Sequence, residues 1–340
     1  MIENNNGYSD RYVSSNVVRS LVRYLEQKLG ADYPEIVAKR LDESRLNDSV
    51  YRFPASVYVE LMDLGARALH DVSFGFHYGQ FADANRWGLI GFILAVSDNL
   101  KEVLETQQRL QSLVGNIGCT IMHDEKDEVL IEWFTETDPF YHLAEEALAG
   151  WVGFGRRIVK QKLVPRRVMF RHKPAGNLAE YEAFFECPVL FNQNMNGLAF
   201  HADLFDMPLR LPDKNMFALL HQHAGNVLQE IGTDNLQQQV KAYLVRQLPR
   251  MVPTIENVAE KFDLSVRTLQ RRFESWGTNY KQFVDLTRKE LALRYLQGGG
   301  NNLLELTFML GFSEQSAFHR AFKRWTDCSP GRYLKQVRNE

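Results

Sequence analysis

The sequence predicts an α+β chain in two parts: a mixed α/β N-terminal domain over residues 1–235, then an all-α domain over 236–340. Three observations carry this. The first 235 residues alternate amphipathic helical stretches with runs of β-type patterning. The last hundred are helical throughout, and in them one two-helix unit is written twice around a long helix. Between the parts lies the polar stretch EIGTDNLQQQ (230–239), where the charge balance turns. Residues 236–340 carry 17 Lys and Arg against 10 Asp and Glu, although the 340-residue chain has a net charge of −2. A basic terminal third on an acidic body suits a polyanion-binding module joined to something else.

In chain order, VVRSLVRYLEQKL (17–29) sets Val18, Leu21, Val22, Leu25 and Leu29 on one helical stripe. Pro54 opens a second helix, ASVYVELMDLGARAL, at its first turn, where a missing N–H costs nothing. LKEVLETQQRLQSLV (100–114) is a third, with Ser97 or Asp98 as its N-cap. The period then changes. NIGCTIMHDEKDEVLIEWF (116–134) reads as a hairpin around the charged turn HDEKDE. RRVMFRH (166–172) and CPVLFNQNMNGLAFH (187–201) read as further strands, with a turn at Asn194–Gly197 and a short helix at 177–185. LPDKNMFALLHQHAGNVLQEI (211–231) returns to helical spacing.

The duplicated unit is TIENVAEKFDLSVRTLQRRFESW (254–276) and LLELTFMLGFSEQSAFHRAFKRW (303–325). Each is a short amphipathic helix, a tight turn near Ser265 or Ser313, and a second helix. The second helices align Leu269 and Phe273 with Phe318 and Phe322, i, i+4 pairs on one face, and Arg271 with Arg320. This is a helix-turn-helix, twice. In the second copy Gly311 permits the left-handed backbone that ends the first helix, Phe312 enters the core, and Ser313 caps the second helix. Phe318, Phe322 and Trp325 anchor that helix and leave Gln315, Ser316, His319 and Arg320 outward. Lys323 and Arg324 come next, placed for phosphates. Between the copies TNYKQFVDLTRKELALRYLQ (278–297) is strongly helical, and 18 residues of it span about 27 Å. Neighbouring major-groove faces of B-DNA lie about 34 Å apart, so such a rod with its flanking turns suits two readers on one side of a duplex. Turns are expected at Leu248–Pro253, Gly277, Gly298–Asn302 and Ser329–Pro330.

Residues 237–340 thus resemble the DNA-binding domain of AraC/XylS-type transcription regulators. The matching residues are Ala259, Ser265, Arg267, Leu269, Arg271 and Phe273, then Gly277, Phe283, Arg288, Ala292 and Leu296. The second copy adds Leu310-Gly311-Phe312, Gln315, Phe318, Arg320, Ala321, Phe322 and Lys323, with the Pro330-x-x-Tyr333 ending. Thr307, Asp263, Asp327 and Leu334 depart from the usual pattern. The resemblance implies that Arg267, Gln270 and Arg271 enter one major groove and Gln315, Ser316, His319 and Arg320 the next. Arg suits a guanine edge and Gln an adenine edge. Lys281, Lys323 and Arg324 are expected on phosphates. Arg271 and Arg320 have the alternative of bracing the fold through a carboxylate. Arg288, mid-linker beside the first motif, is expected to brace it.

The first 235 residues do not resemble the cupin barrel common in that family. They resemble its other, arabinose-binding-like regulatory domain, through Phe76-His77-Tyr78-Gly79, Gly88-Leu89-Ile90-Gly91, the hairpin at 118–134 and Phe185-x-Cys187-Pro188-Val189-x-Phe191. No GxSxG, GxxxxGK[ST], HExxH or GxGxxG signature marks an enzyme. GWVGFG (150–155) reads as a turn or close helix contact, His221 and His223 point to different faces, and adjacent Glu145 and Glu146 do not form a catalytic pair. Cys119, Cys187 and Cys328 are too scattered for a disulfide framework or a zinc site. Trp87, Phe92, Trp133, Phe140, Tyr141 and Trp151 line a sensing pocket or fill a core. Helices near 100–114 or 214–231 are candidates for a dimer interface. With no apolar run of about 18 residues and no secretory leader, the chain is expected in the cytoplasm, off the membrane and without a cofactor.

The reading is a sequence-specific DNA-binding regulator of promoter or operator DNA, an activator touching RNA polymerase by the resemblance, modulated by a small-molecule effector or by homodimerisation. Three alternatives stay open at this point. One is a dimer without an effector, controlled by abundance or a protein partner. The others are an enzyme carrying a DNA domain and a non-specific architectural binder.

Overall fold

The computed structural model describes residues 11–30, 41, 43–125, 127–135, 140–231, 236–262, 264–297 and 301–338. The chain divides into two compact units, Met1–Asn235 and Leu236–Glu340. The first mixes helices with a sheet and the second is helical.

In the first unit, β1 (Tyr12–Ser14) pairs antiparallel with β2 (Arg52–Pro54), Val13 opposite Phe53. From β1 the chain enters α1 (Ser15–Leu29), whose stripe of Val18, Leu21 and Leu25 is fully buried. Leu29 is only partly buried at its end. After α2 (Glu43–Leu46) and β2, Pro54 is the N-cap rather than the first helical residue of α3 (Ala55–Ala68). Then α4 (Phe74–Gln80) leads to a 3-10 turn, Ala84–Trp87, and to α5 (Leu89–Ala95). The cap of α6 (Leu100–Leu110) is neither Ser97 nor Asp98 but Asn99, whose side chain accepts from Glu102 N at 2.9 Å. Glu102 turns back to accept from Asp98 N at 2.6 Å. The helix is shorter than expected and gives way to a 3-10 turn, Gln111–Leu113.

The hairpin forms as β3 (Cys119–Glu125) and β4 (Glu128–Phe134). Along β4, Val129, Ile131 and Trp133 are buried in alternation, so one face of the sheet looks into the core. α7 (His142–Ile158) comes next, then β5 (Arg167–Met169), α8 (Leu178–Phe185), β6 (Val189–Leu190) and β7 (Gly197–His201). The sheet order is β3-β4-β7-β5-β6, antiparallel throughout except between β5 and β6. β6 and β7 flank the turn at 194–197 but do not pair, because β5 lies between them. The unit ends on α9 (Lys214–Ile231).

α4 lies close against α7. A Cβ on Gly79 would stand 2.7 Å from the carbonyl oxygen of Glu146, so only glycine allows this approach. Beside it His77 joins two acids, Nδ1 to Asp71 at 2.7 Å and Nε2 to Glu180 at 2.8 Å. The bond to Asp71 lifts the His77 pKa from 6.5 to about 9 against the opposing effect of burial, with Glu180 adding to the rise. A raised histidine stabilises fully below its unfolded value and loses that contribution as pH climbs through about 9. A His77→Gln chain is therefore expected to melt below the native chain most clearly near pH 6. The gap should close toward pH 9, and melting curves across that range check it.

In the second unit, α10 (Leu236–Gln247), α11 (Ile255–Lys261), α12 (Val266–Ser275) and the start of α13 (Tyr280–Gln297) enclose one core, with Leu244, Leu248, Leu269, Phe273 and Phe283 at its centre. The end of α13, α14 (Leu303–Met309), α15 (Gln315–Thr326) and α16 (Pro330–Arg338) enclose another, built on Ala292, Leu296, Leu310, Phe318 and Phe322. One helix therefore belongs to both cores, and Leu291 packs on each. Asp263, residues 232–235 of the polar stretch and residues 298–300 of the expected turn lie outside the described residues.

Candidate functional site

In the first helix-turn-helix, the Ser265 hydroxyl accepts from Thr268 N at 3.1 Å and starts α12. Leu269 and Phe273 are buried in the core below. Arg267, Gln270 and Arg271, spaced i, i+3, i+4, form an exposed face. Among the described residues none of these three side chains makes a hydrogen bond or ion pair, so Arg271 does not brace the fold through a carboxylate.

The second motif repeats the plan with differences. Gly311 has φ +69° and ends the turn as expected. The N-cap of α15 is Glu314, not Ser313, and Glu314 makes no capping bond. Its carboxylate instead accepts from the Ser316 hydroxyl and lies 3.5 Å from Arg320. Gln315, Ser316, His319 and Arg320 are all exposed. Arg320 thus starts from a solvated carboxylate, a feature visible in Glu314-x-Ser316 but not read from it. Lys281 is exposed on the first turn of α13, and Lys323 is exposed on α15. Arg324 is committed to Asp285 of α13 at 2.7 Å, which ties α15 to the rod.

Arg288 does brace the fold, though at the second motif rather than the first. Its Nε donates to Leu310 O at 2.8 Å and a terminal nitrogen donates to Gly311 O at 3.0 Å. The guanidinium lies 4.3 Å from the centroid of the Phe312 ring. Burial holds its pKa below the ordinary arginine value. Glu314→Gln is expected to tighten binding to any duplex roughly two- to fivefold, since it releases Arg320 and removes a negative charge from an exposed face of a basic domain. Fluorescence anisotropy at fixed salt checks this. Weaker binding would mean instead that Glu314 itself accepts from a cytosine amino group.

In the N-terminal unit a cavity of about 180 Å³ opens between the sheet face, α5, α6 and α7. Trp87, Trp133 and Trp151 line it, as the sequence allowed. Phe92, Phe140 and Tyr141 do not. Phe92 is exposed on α5, while Phe140 and Tyr141 pack around His142. Sequence reasoning missed the polar corner of this cavity. Arg86, 1% exposed, pairs with Glu146, donates to the Tyr58 hydroxyl at 3.2 Å and lies 4.2 Å from the Tyr78 ring centroid. Desolvation works against its charge, but Tyr78 and Tyr58 prevail, and its pKa stands above the ordinary value. One Arg in a loop reads as surface, and nothing local announces that it is buried.

Glu145, next along α7, faces elsewhere. It is wholly buried, accepts from the Tyr181 hydroxyl at 2.6 Å, and has His142 Nδ1 at 3.4 Å. The two glutamates therefore serve separate clusters. Of the two helices considered for a dimer interface, α6 turns Leu100, Val103 and Leu110 inward, whereas α9 leaves Met216 and Leu219 exposed. The three cysteines are free. Among the described residues no helix is long and apolar enough to cross a membrane.

Comparison with known proteins finds two matched regions. Residues 32–209 match the family model for the arabinose-binding domain of AraC transcription regulators, N-terminal, and residues 258–336 match a helix-turn-helix domain. The chain is 26% identical over 265 residues to the ornithine utilization regulator of Pseudomonas aeruginosa, covering 77% of this chain and 78% of that one. It is 25% identical over 268 residues to the transcriptional regulator VqsM of the same organism, covering 74% and 80%. The crystal structure of the regulator CdpR, also from Pseudomonas aeruginosa, aligns at 21% identity and a TM-score of 0.46 over 94% of this chain and 98% of that one. The two sequence relatives are transcription regulators rather than enzymes. With the first match spanning over half of its length and a helix-turn-helix match behind it, the chain belongs to the AraC-type transcription regulators, as a DNA-binding regulator with an arabinose-binding-type N-terminal domain.

Proposed function

We propose that this regulator reads specific sequence in promoter or operator DNA with two helices and is modulated by a small molecule held in its N-terminal cavity. Arg267, Gln270 and Arg271 enter one major groove, and Gln315, Ser316, His319 and Arg320 the next. Lys281 and Lys323 meet phosphates, and Arg324 contributes charge near the backbone while holding Asp285. The observation that supports this reading most is the repeated pattern of a buried aromatic anchor beneath an exposed polar Arg/Gln face on α12 and α15. A non-specific binder would need the charge but not the amide and imidazole groups.

The cavity favours an effector over control by abundance alone, because a well-packed core leaves few voids larger than water. Homodimerisation is assigned to α9, where Met216 and Leu219 stand exposed at 43% and 63%. The chain acts in the cytoplasm without catalysing a reaction, and activation proceeds through contact with RNA polymerase. Genome-wide pull-down of fragmented DNA with the purified full-length chain tests the reading. A single enriched motif is expected, whereas uniform recovery of all fragments would reduce the second unit to a phosphate-gripping device.

A further inference from the structure

Five polar side chains line the N-terminal cavity: Tyr58, Arg86, Gln107, Gln111 and Glu146. Three of them are engaged within the protein. Gln111 accepts from Thr120 N at 3.0 Å and donates to Gly118 O, the Tyr58 hydroxyl accepts from Arg86, and Glu146 pairs with Arg86. What remains is an imbalance. Arg86 Nε and Nη1 are buried without a hydrogen-bond partner, and so is Gln107 Oε1. Burying donors and an acceptor in this state costs enough that native interiors almost always avoid it. The remaining walls are apolar, with Ile90, Leu104, Ile131, Trp133, Leu198 and Phe200 prominent among them. Water held there would find few partners, and its release would favour a ligand.

The electrostatics narrow the choice. Glu146 already compensates the guanidinium charge of Arg86. A second carboxylate would have to share that cation with Glu146 across a water-poor space, where like charges repel strongly. What the corner lacks is therefore an acceptor, not a charge. A carbonyl oxygen answers the Arg86 N–H groups, and an N–H answers Gln107 Oε1. The size fits as well, since an apolar cavity of about 150 Å³ accepts a benzene-sized guest, and this one measures about 180 Å³.

Resting on the effector reading above, we propose that the cavity takes an uncharged, largely apolar molecule with a carbonyl head, an amide being the fullest match, recognised by Arg86 and Gln107. Trp87, Trp133 and Trp151 supply flat walls for its hydrocarbon part.

The test uses the full-length protein with 1-aminonaphthalene, a two-ring dye near the size limit of the cavity, as a fluorescent occupant, displaced by octanamide, octanoate or octylamine at neutral pH. Octanamide is expected to displace the dye at a concentration roughly tenfold or more below either charged congener. Two variants complete the test. Arg86→Met with Glu146→Leu removes both charges together, so that neither is left buried alone. Gln107→Leu leaves the ion pair intact. Each should weaken octanamide about tenfold while the dye binds as before. If octanoate matches octanamide, or if neither variant changes octanamide binding while the dye still enters, the head-group assignment is overturned and the cavity stands as an apolar site only. If neither the dye nor any congener binds, the effector reading itself falls.

Discussion

A chain carrying both Arg267→Ala and Arg320→Ala is expected to lose roughly 100-fold or more in affinity for its enriched motif and almost nothing in fold stability. Both arginines are exposed, and their helices are anchored from below by Leu269, Phe273, Phe318 and Phe322. Truncating them therefore leaves both cores intact. A bidentate Arg–guanine contact discriminates by about 1–3 kcal/mol, and two well-separated contacts add. Lys281→Ala and Lys323→Ala form the comparison. Each should weaken all duplexes alike and reduce the steepness of the salt dependence by about one contact. Anisotropy titrations on motif and scrambled duplexes at several salt concentrations separate the two behaviours. Equal losses on both duplexes for the arginine variant would remove base reading from these residues.

The largest stability effect is expected at Gly311. Its φ of +69° is strained for any residue with a side chain, and a Cβ there would stand 2.5 Å from Leu248 O. Leu248 belongs to the first core of the second unit, whereas the turn that contains Gly311 closes the second. Relief of the clash must therefore move the two halves apart or break the Arg288 bonds to Leu310 and Gly311. Gly311→Ala is expected to cost about 2–4 kcal/mol and to lower the melting temperature of this unit on the order of 10 °C. Arg288→Met removes the brace without the clash and should cost less, about 1–3 kcal/mol for the two carbonyls left unmet. Circular dichroism melts of the three chains rank them. A Gly311→Ala chain as stable as the native one would show that the turn can relax freely.

The second unit was legible because its signals are local. Ser265, Gly311 and the spaced Leu269/Phe273 and Phe318/Phe322 pairs each act within a few residues. The first unit's sheet depends on pairing across the chain, and no short-range pattern places β5 between β7 and β6. Caps were misplaced by one residue at Asn99 and Glu314, where several polar residues in succession compete for the same position. Three of the six aromatics considered from sequence do line the cavity, since Trp87, Trp133 and Trp151 are large and apolar wherever they lie. Arg86 was not foreseeable, because its partners Glu146, Tyr58 and Tyr78 are brought to it by three other helices.

α13 contributes side chains to both cores of the second unit, so it behaves as a fixed axle rather than a tether. On an axle, position and phase are locked together. One inserted residue would turn everything downstream by about 100° while advancing it only 1.5 Å. On the two-helix reading proposed above, the spacing of the two blocks in a target site is inherited from the helical pitch of this one segment. A target site is therefore expected to tolerate base changes within a block better than a change in the number of base pairs between blocks.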